Sequence, residues 1–138
     1  MQDHHCHTSS IVVNRPAEVA FAIMSDGIAQ GQWAWGSANR REAEPGLFVG
    51  TSVFSGKETW VRLNADPARF QVDYDVGPSK EAMQFRNMSR VIPGDVLKIG
   101  ADKCVVTLLT WRLATQTDAE WEQMGCIHEA EMFLIRGL

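Results

Sequence analysis

The sequence contains no long hydrophobic run and no excess of positive charge. Its 138 residues include 13 Lys and Arg against 17 Asp and Glu, giving a net charge of −4. No run approaches the roughly 20 apolar residues that a membrane-spanning helix needs, so no membrane span is predicted. An acidic chain also disfavours nucleic-acid binding, because that function needs clustered Lys and Arg to displace phosphate counterions. The N-terminus lacks the basic and apolar segments of a secretory signal, which favours a cytoplasmic protein.

Cysteine is scarce and scattered. Cys6, Cys104 and Cys126 are odd in number and widely spaced, so they predict no disulfide framework and fit a reducing cytoplasm. Cys104 and Cys126 fall in a predicted strand and a predicted helix, where we expect them to be small buried apolar groups. The glycines stand singly at turns rather than in a phosphate-binding loop, and no nucleophile-elbow motif is present. No cofactor is predicted.

A short run of metal-binding residue types, His4 to His7, lies near the N-terminus. Imidazole and thiolate are ligands that Zn²⁺ and Cu²⁺ favour. On a strand, however, successive side chains point to opposite faces, so only His5 and His7 would share one. Two ligands are too few for a structural zinc, and we predict no metal site.

The order of elements predicts an α+β fold in one domain, residues 1–138, because no internal repeat or low-complexity linker divides the chain. Two short helices follow the first strand, one from Pro16 to about Ser25 and one over Ile28–Ala34. Short turns then separate β-rich runs, which indicates antiparallel hairpins. The seven predicted strands are His5–Val13, Ala38–Glu44, Leu47–Ser55, Glu58–Ala65, Arg69–Val76, Met83–Ile92 and Lys103–Leu113.

Two strands have informative patterns. Val72, Tyr74 and Val76 alternate with two aspartates, which predicts one dry and one wet face. Residues 104–109 are apolar on both faces, which indicates a central strand whose outer face a loop or a partner subunit covers. We therefore consider a homodimer through the outer sheet face around Val106 and Leu108.

A long C-terminal helix is the clearest element. Thr117 and Glu120 form a capping-box pattern at its start. From there the helix is expected to run about 20 residues, or roughly 30 Å, to the chain end. Glu129 lies outside its apolar stripe. The residues that recur at spacings of three and four, and so form that stripe, are Trp121, Met124, His128, Met132, Ile135 and Leu138.

This element order resembles the START-related (SRPBCC) superfamily, which includes birch-pollen-allergen-like and polyketide cyclase/dehydrase-like domains, and in particular its small uncharacterised bacterial members. The resemblance is carried by the residues 11–19 with Pro16 and Val19, by Ser25-Asp26, by Trp33, and by the capped terminal helix with its acidic end. It implies a helix-grip fold, in which a curved seven-stranded antiparallel sheet wraps the long C-terminal helix around an apolar cavity. It implies no particular catalytic residue, because the fold hosts carriers, cyclases and hydrolases.

The leading hypothesis is that this cavity binds a small hydrophobic ligand: a lipid, a polyketide or an aromatic polycycle. The alternative for each lining residue is that it only fills the core. The predicted lining comprises Trp121, Met124, His128, Met132 and Ile135 from the helix and Trp60, Tyr74 and Phe85 from the sheet.

A second hypothesis is a cyclase- or dehydratase-like enzyme. His128 and Glu131 are three residues apart, so they are neighbours on the helix surface, and a His beside a carboxylate in a dry pocket can transfer protons near neutral pH. Tyr74 could supply a further polar group. The alternative is that His128 is a hydrogen-bonded wall residue and Glu131 is solvated. Arg40 is likewise expected on a solvated face, as are Arg41, Arg86 and Arg90. The third hypothesis is the homodimeric interaction module.

Overall fold

A computed structural model describes residues 3–138, and it contains one seven-stranded antiparallel sheet in the order β1-β7-β6-β5-β4-β3-β2. Each predicted strand is present, with its ends within a few residues of the expected positions. The strands are β1 Cys6–Val13, β2 Ala38–Glu44, β3 Leu47–Thr51, β4 Glu58–Asp66, β5 Gln71–Gly77, β6 Gln84–Pro93 and β7 Cys104–Trp111. The sheet and the long terminal helix form the predicted α+β helix-grip architecture.

Short helices occupy the connections. Helix α1, Ala17–Met24, follows Pro16, and helix α2, Gly27–Gln30, begins where the Asp26 carboxylate accepts two backbone N–H groups. A 3-10 turn, Trp35–Ser37, then leads into β2. One further short helix, α3, spans Gly94–Leu97 between β6 and β7, where the sequence indicated only a turn.

Helix α4, Asp118–Gly137, is capped as predicted. The Thr117 hydroxyl accepts the Glu120 backbone N–H at 3.2 Å, and the Glu120 carboxylate accepts the Thr117 N–H at 2.9 Å. The helix lies close to β1 at Gly125, where a Cβ atom would be 3.2 Å from the ring of His7. Its C-terminal half enters the core through Met132 and Ile135. No helix among residues 3–138 is both long and apolar enough to cross a bilayer.

The core lies on the concave face of the sheet. On β5, Val72 and Tyr74 are buried and the two aspartates are half-exposed, so the predicted alternation is confirmed. On β7 the even-numbered residues face the core, and Val106 and Leu108 are only 0% and 2% exposed. The prediction that these two residues form an outer, dimerising surface is therefore wrong. The outward residues of this strand are Val105, Thr107, Leu109 and Trp111.

The cysteines divide between core and surface. Cys104 is buried as predicted, and burial raises the pKa of its thiol. Cys126 is exposed on α4, so the expectation that it is buried is wrong. It directly follows Gly125, which faces β1, and the next position on a helix is turned about 100° away from that contact.

A β-bulge interrupts the pairing of β5 with β6. Tyr74 pairs with Asn87, whereas Asp75 pairs with Phe85, so Arg86 is an extra residue on β6. The side-chain period of a strand is two, and one extra residue moves the neighbouring side chains to the other face. Phe85 consequently lies on the convex face, half-exposed, with its ring centroid 5.2 Å from that of Trp111.

Candidate functional site

A cavity of about 120 Å³ lies between the concave sheet face and α4. Its wall is more polar than the sequence predicted. The apolar part of the wall is formed by Trp33, Ala34, Gly36, Val61, Val76, Leu108 and the ring of Tyr74. The polar part is formed by Gln30, Ser37, Arg40, Thr59, Asn87, His128 and Glu131.

The predicted catalytic residues all border this cavity, but most of the predicted ligand-binding residues do not. His128, Glu131 and Tyr74 lie in its wall. Met132 and Ile135 pack instead in the hydrophobic core.

The two other helix residues lie nearer the start of α4. Trp121 is half-buried with its ring 6.5 Å from that of His7. The sulfur of Met124 accepts contacts from Arg86 at 3.6 Å and Gln116 at 3.9 Å. Both side chains thus have partners in the first turns of α4, and neither lines the cavity.

The two predicted aromatic residues of the sheet face outward. Thr59 and Val61 line the cavity, so Trp60 between them points to the convex face. Phe85 is turned to the same face by the bulge at Arg86.

His128 ends a short hydrogen-bond chain across the cavity wall. The Asn87 side-chain amide donates to the Thr110 hydroxyl at 2.5 Å, and that hydroxyl lies 2.9 Å from His128 Nδ1. The Thr110 hydroxyl has one proton and two lone pairs, so it can donate to Nδ1 as well as accept from Asn87, and that donation corresponds to the tautomer with the ring proton on Nε2. Burial, together with the nearby His7 and Arg86, lowers the pKa of His128 to about 4, so the ring is neutral at pH 7.

Glu131 is buried, with 3% exposure, which overturns the alternative that it is solvated. Its Oε1 accepts the backbone N–H of Trp35 at 2.8 Å, and its Oε2 lies 3.9 Å from His128 Nε2. Burial raises the pKa of Glu131 to about 7, against the opposing effects of the Trp35 N–H and Arg40. The 3.9 Å gap is too long for a hydrogen bond, but one oxygen atom placed between the two groups could bond both.

Arg40 reaches the cavity wall from β2, and the prediction that it is solvated is wrong. Its Nε donates to the Ser37 carbonyl at 3.0 Å and to the Ser37 hydroxyl at 3.2 Å, and a terminal nitrogen donates to the Gln30 side-chain oxygen. Burial lowers the pKa of Arg40 to about 10, so it remains a cation at neutral pH.

Trp33 carries a buried donor without a partner. The side chain is 1% exposed, and its indole Nε1–H has no acceptor among the residues that the structure describes. A buried unpaired donor costs about 1–3 kcal/mol, and such groups call for an explanation such as an occupant of the site. The sequence singled out Trp33 only as part of a family pattern, and no local signal marked its N–H.

Tyr74 presents its ring to the cavity, while its hydroxyl is engaged elsewhere. The hydroxyl donates to the Met24 carbonyl at 2.7 Å and pairs with the Ser89 hydroxyl at 2.9 Å. Burial raises the pKa of Tyr74 well above its usual value. The ring therefore forms part of the wall, and the hydroxyl ties β5 to the end of α1.

The N-terminal histidines lie apart from this cavity. A turn at residues 4–5 brings exposed ligand atoms of Asp3, His4 and His5 within 4.8 Å of one another, a grouping that strand alternation did not anticipate. His7 instead faces inward, where its Nε2 lies 2.9 Å from the Ser9 hydroxyl.

Solved structures share the architecture over nearly the whole chain. A START superfamily protein from Mycobacterium smegmatis superposes with a TM-score of 0.72 at 16% identity, covering 96% of this chain and 95% of that one. The Zhui aromatase/cyclase from Streptomyces sp. R1128 gives a TM-score of 0.67 at 14% identity, with coverage of 96% and 91%. The di-domain aromatase/cyclase BexL of the BE-7585A biosynthetic pathway gives 0.71 at 16% identity over 99% of this chain and 46% of that chain.

No protein-family model and no curated protein sequence matches the chain. At identities of 14% to 16%, these solved structures show a shared architecture alone. The resemblance read from the sequence and the superpositions agree: the chain has the START-related, polyketide cyclase-like helix-grip fold.

Proposed function

We propose that the protein binds a small molecule with an apolar body and a hydrogen-bond acceptor in the cavity beneath α4. Trp33 lines this cavity and its buried indole N–H has no partner among the described residues, and this observation carries the proposal, because an acceptor on a ligand that reached the N–H would satisfy it. The wall supports both parts of such a ligand: Val61, Val76 and Leu108 are apolar, and Arg40 is cationic. The architecture shared with START superfamily and aromatase/cyclase structures also supports a ligand-binding role.

The cavity volume sets the size of the ligand. About 120 Å³ is slightly less than the roughly 150 Å³ of an engineered protein cavity that holds benzene. A single ring with a short substituent therefore fits this cavity, whereas a lipid or a polycycle requires α4 or the 3-10 turn to move.

Burial alone does not bind so small a ligand tightly. Covering roughly 150 Å² of apolar surface contributes about 4 kcal/mol, whereas micromolar affinity needs about 8 kcal/mol after association costs. The polar groups of the wall must supply the difference, which is why we place the acceptor opposite Trp33 and Arg40.

A thermal-shift screen of single-ring, polycyclic and acyl-chain compounds tests this proposal, with calorimetry for each hit. We expect single-ring compounds with an acceptor to raise the melting temperature, and Val76→Phe, which fills the cavity, to abolish the shift. Val105→Phe is the matched control, because Val105 lies on the same sheet but faces outward. If no compound class shifts the protein, or if Val76→Phe binds as well as the unaltered chain, the proposal fails.

A second candidate, proton transfer on a bound carbonyl compound, is favoured by the pairing of His128 and Glu131 at one cavity wall. We assign the proton of the neutral His128 ring to Nε2, with Thr110 donating to Nδ1, so that the imidazole is a hydrogen-bond donor toward the cavity. The carboxylate of Glu131 is then the group that can take a proton at neutral pH. We propose that Glu131 removes a proton from the carbon next to the carbonyl and returns it, while Trp33 and Arg40 stabilise the enolate oxygen.

Deuterium incorporation into the methyl group of acetophenone, followed by NMR in D₂O, tests this activity. We expect the protein to accelerate exchange over buffer, and Glu131→Gln to remove the acceleration. Glu129→Gln, two residues earlier on α4 with a largely exposed carboxylate, should retain it. Equal exchange in the two variants would exclude Glu131 as the proton carrier.

A further inference from the structure

We infer that the cavity selects a ligand bearing a carboxylate, which Arg40 and Trp33 hold, and that binding is coupled to proton uptake at Glu131. The inference rests on the proposed ligand-binding function and names the chemical class of the ligand. Its argument starts from the charge balance of the cavity wall.

Arg40 is a half-buried cation without an anionic partner among the described residues. Its hydrogen bonds go to Ser37 and Gln30, which are neutral. No carboxylate among residues 3–138 lies within 4.0 Å of its guanidinium. Burying a charge is costly unless it is paired, so the site as it stands lacks a counter-ion.

The nearest anionic group, Glu131, does not serve as that counter-ion. Its Oε1 is turned to the Trp35 N–H, and its Oε2 faces His128. Its raised pKa keeps it partly protonated at neutral pH. The titratable groups around it are Arg40 from β2, Tyr74 from β5 and His128 on its own helix, and the last two are neutral at pH 7. The wall therefore carries a net positive charge whenever Glu131 is protonated.

A carboxylate matches the free donors of this wall. It can accept a terminal N–H of Arg40, and charge-assisted bonds of this kind are about twice as strong as neutral ones. A shift of the buried Trp33 ring toward the ligand would let the carboxylate accept the unpaired indole N–H as well. A neutral carbonyl would satisfy Trp33 but would leave the Arg40 charge unpaired. The cavity should consequently prefer an anionic single-ring compound to its neutral isostere.

The bound carboxylate also acts on Glu131. Two carboxylates in one dry site cannot both be ionised without a large penalty, so the ligand raises the pKa of Glu131 further. Below about pH 7, where Glu131 is already protonated, affinity should be constant. Above that pH each ligand must bring a proton with it, and affinity should fall by up to about tenfold per pH unit.

Calorimetry with benzoate from pH 6 to 9, in buffers of different ionisation enthalpy, tests the inference. Benzyl alcohol and benzamide serve as neutral isosteres. We expect benzoate to bind more tightly than either, with up to one proton taken up per ligand at pH 8. Glu131→Gln should abolish the proton uptake and the pH dependence, and Glu129→Gln should retain both.

Two variants test the donors. Arg40→Gln should weaken benzoate at least about tenfold while changing benzyl alcohol far less. Trp33→Phe removes a donor that has no partner and keeps an aromatic ring in the core, so it should retain the fold, at some cost in stability from the lost volume, and weaken benzoate several-fold while changing benzyl alcohol less.

The outcomes separate the inference from the function on which it rests. If neutral isosteres bind in a manner that Val76→Phe abolishes and benzoate does not bind, the carboxylate inference is wrong and the binding proposal stands. Benzoate binding without proton uptake, or with unchanged uptake in Glu131→Gln, overturns the coupling. If no compound binds, both fail.

Discussion

At the scale of single residues, the site is governed by two buried titratable groups that burial shifts in opposite directions. His128 loses its tendency to become a cation, and Glu131 loses its tendency to become an anion. Both shifts favour the neutral form, as desolvation requires. Near neutral pH the pair therefore offers a donor and a proton carrier at one wall, without the strong attraction of an ion pair.

These shifts also make folding stability depend on pH. The folded-state pKa of Glu131 is raised from 4.5 to about 7. Its contribution to the free energy of unfolding is therefore complete below pH 4.5 and is lost as pH rises through 7. The pKa of His128 is lowered from 6.5 to about 4, so its contribution is complete above pH 6.5 and is lost as pH falls through 4. Between these limits the two slopes oppose each other.

Glu131→Gln removes one slope, and its effect can be predicted. As pH rises from 4.5 to 7, the unfolding free energy of the variant should increase relative to that of the unaltered chain, by up to about 3 kcal/mol in total. Urea unfolding at several pH values in this range measures the difference. Glu129→Gln should show no comparable trend, and a pH-independent difference for Glu131→Gln would show that its carboxyl does not titrate as proposed.

At the scale of elements, α4 forms one side of the cavity, so the features that hold its ends matter to the site. The first turn depends on the reciprocal bonds between Thr117 and Glu120. Thr117→Ala leaves the Glu120 N–H without its acceptor and should lower the unfolding free energy by about 1 kcal/mol. Thr115→Ala, in the exposed turn just before the helix, is the matched control in urea unfolding. Equal effects would contradict the capping role.

The elements were largely predictable, and the reason is periodic patterning. The alternation on β5 and the capping box with its apolar stripe identified a half-buried strand and the terminal helix. The stripe, however, marks only the side of α4 that faces the sheet. It does not separate Met132, which packs solidly in the core, from His128, which borders the cavity.

At the scale of the whole molecule, the composition of the site could not be predicted from local pattern. The charged neighbours of Arg40 predict a surface position for it. In the structure its guanidinium instead donates to neutral acceptors on Gln30 of α2 and Ser37 of the 3-10 turn, which hold it at the cavity wall. The sequence alone allows Glu131 to be solvated, but in the structure the Trp35 backbone N–H donates to its carboxylate and so stabilises it in the buried cavity wall. The contact of Glu131 joins segments 96 residues apart, and the contacts of Arg40, although closer in sequence, form only where α2 and the 3-10 turn fold back beside β2. No periodicity encodes either arrangement.

The extra residue on β6 has a consequence for the tolerance of this strand to deletion. Because Arg86 is the unpaired residue, its removal would join Phe85 directly to Asn87 and leave Phe85 opposite Asp75, still on the convex face. A deletion in the regularly paired part of β6 would instead turn the side chains beyond it to the opposite face, so the bulge is a position where this strand can lose a residue without changing which side chains line the binding wall.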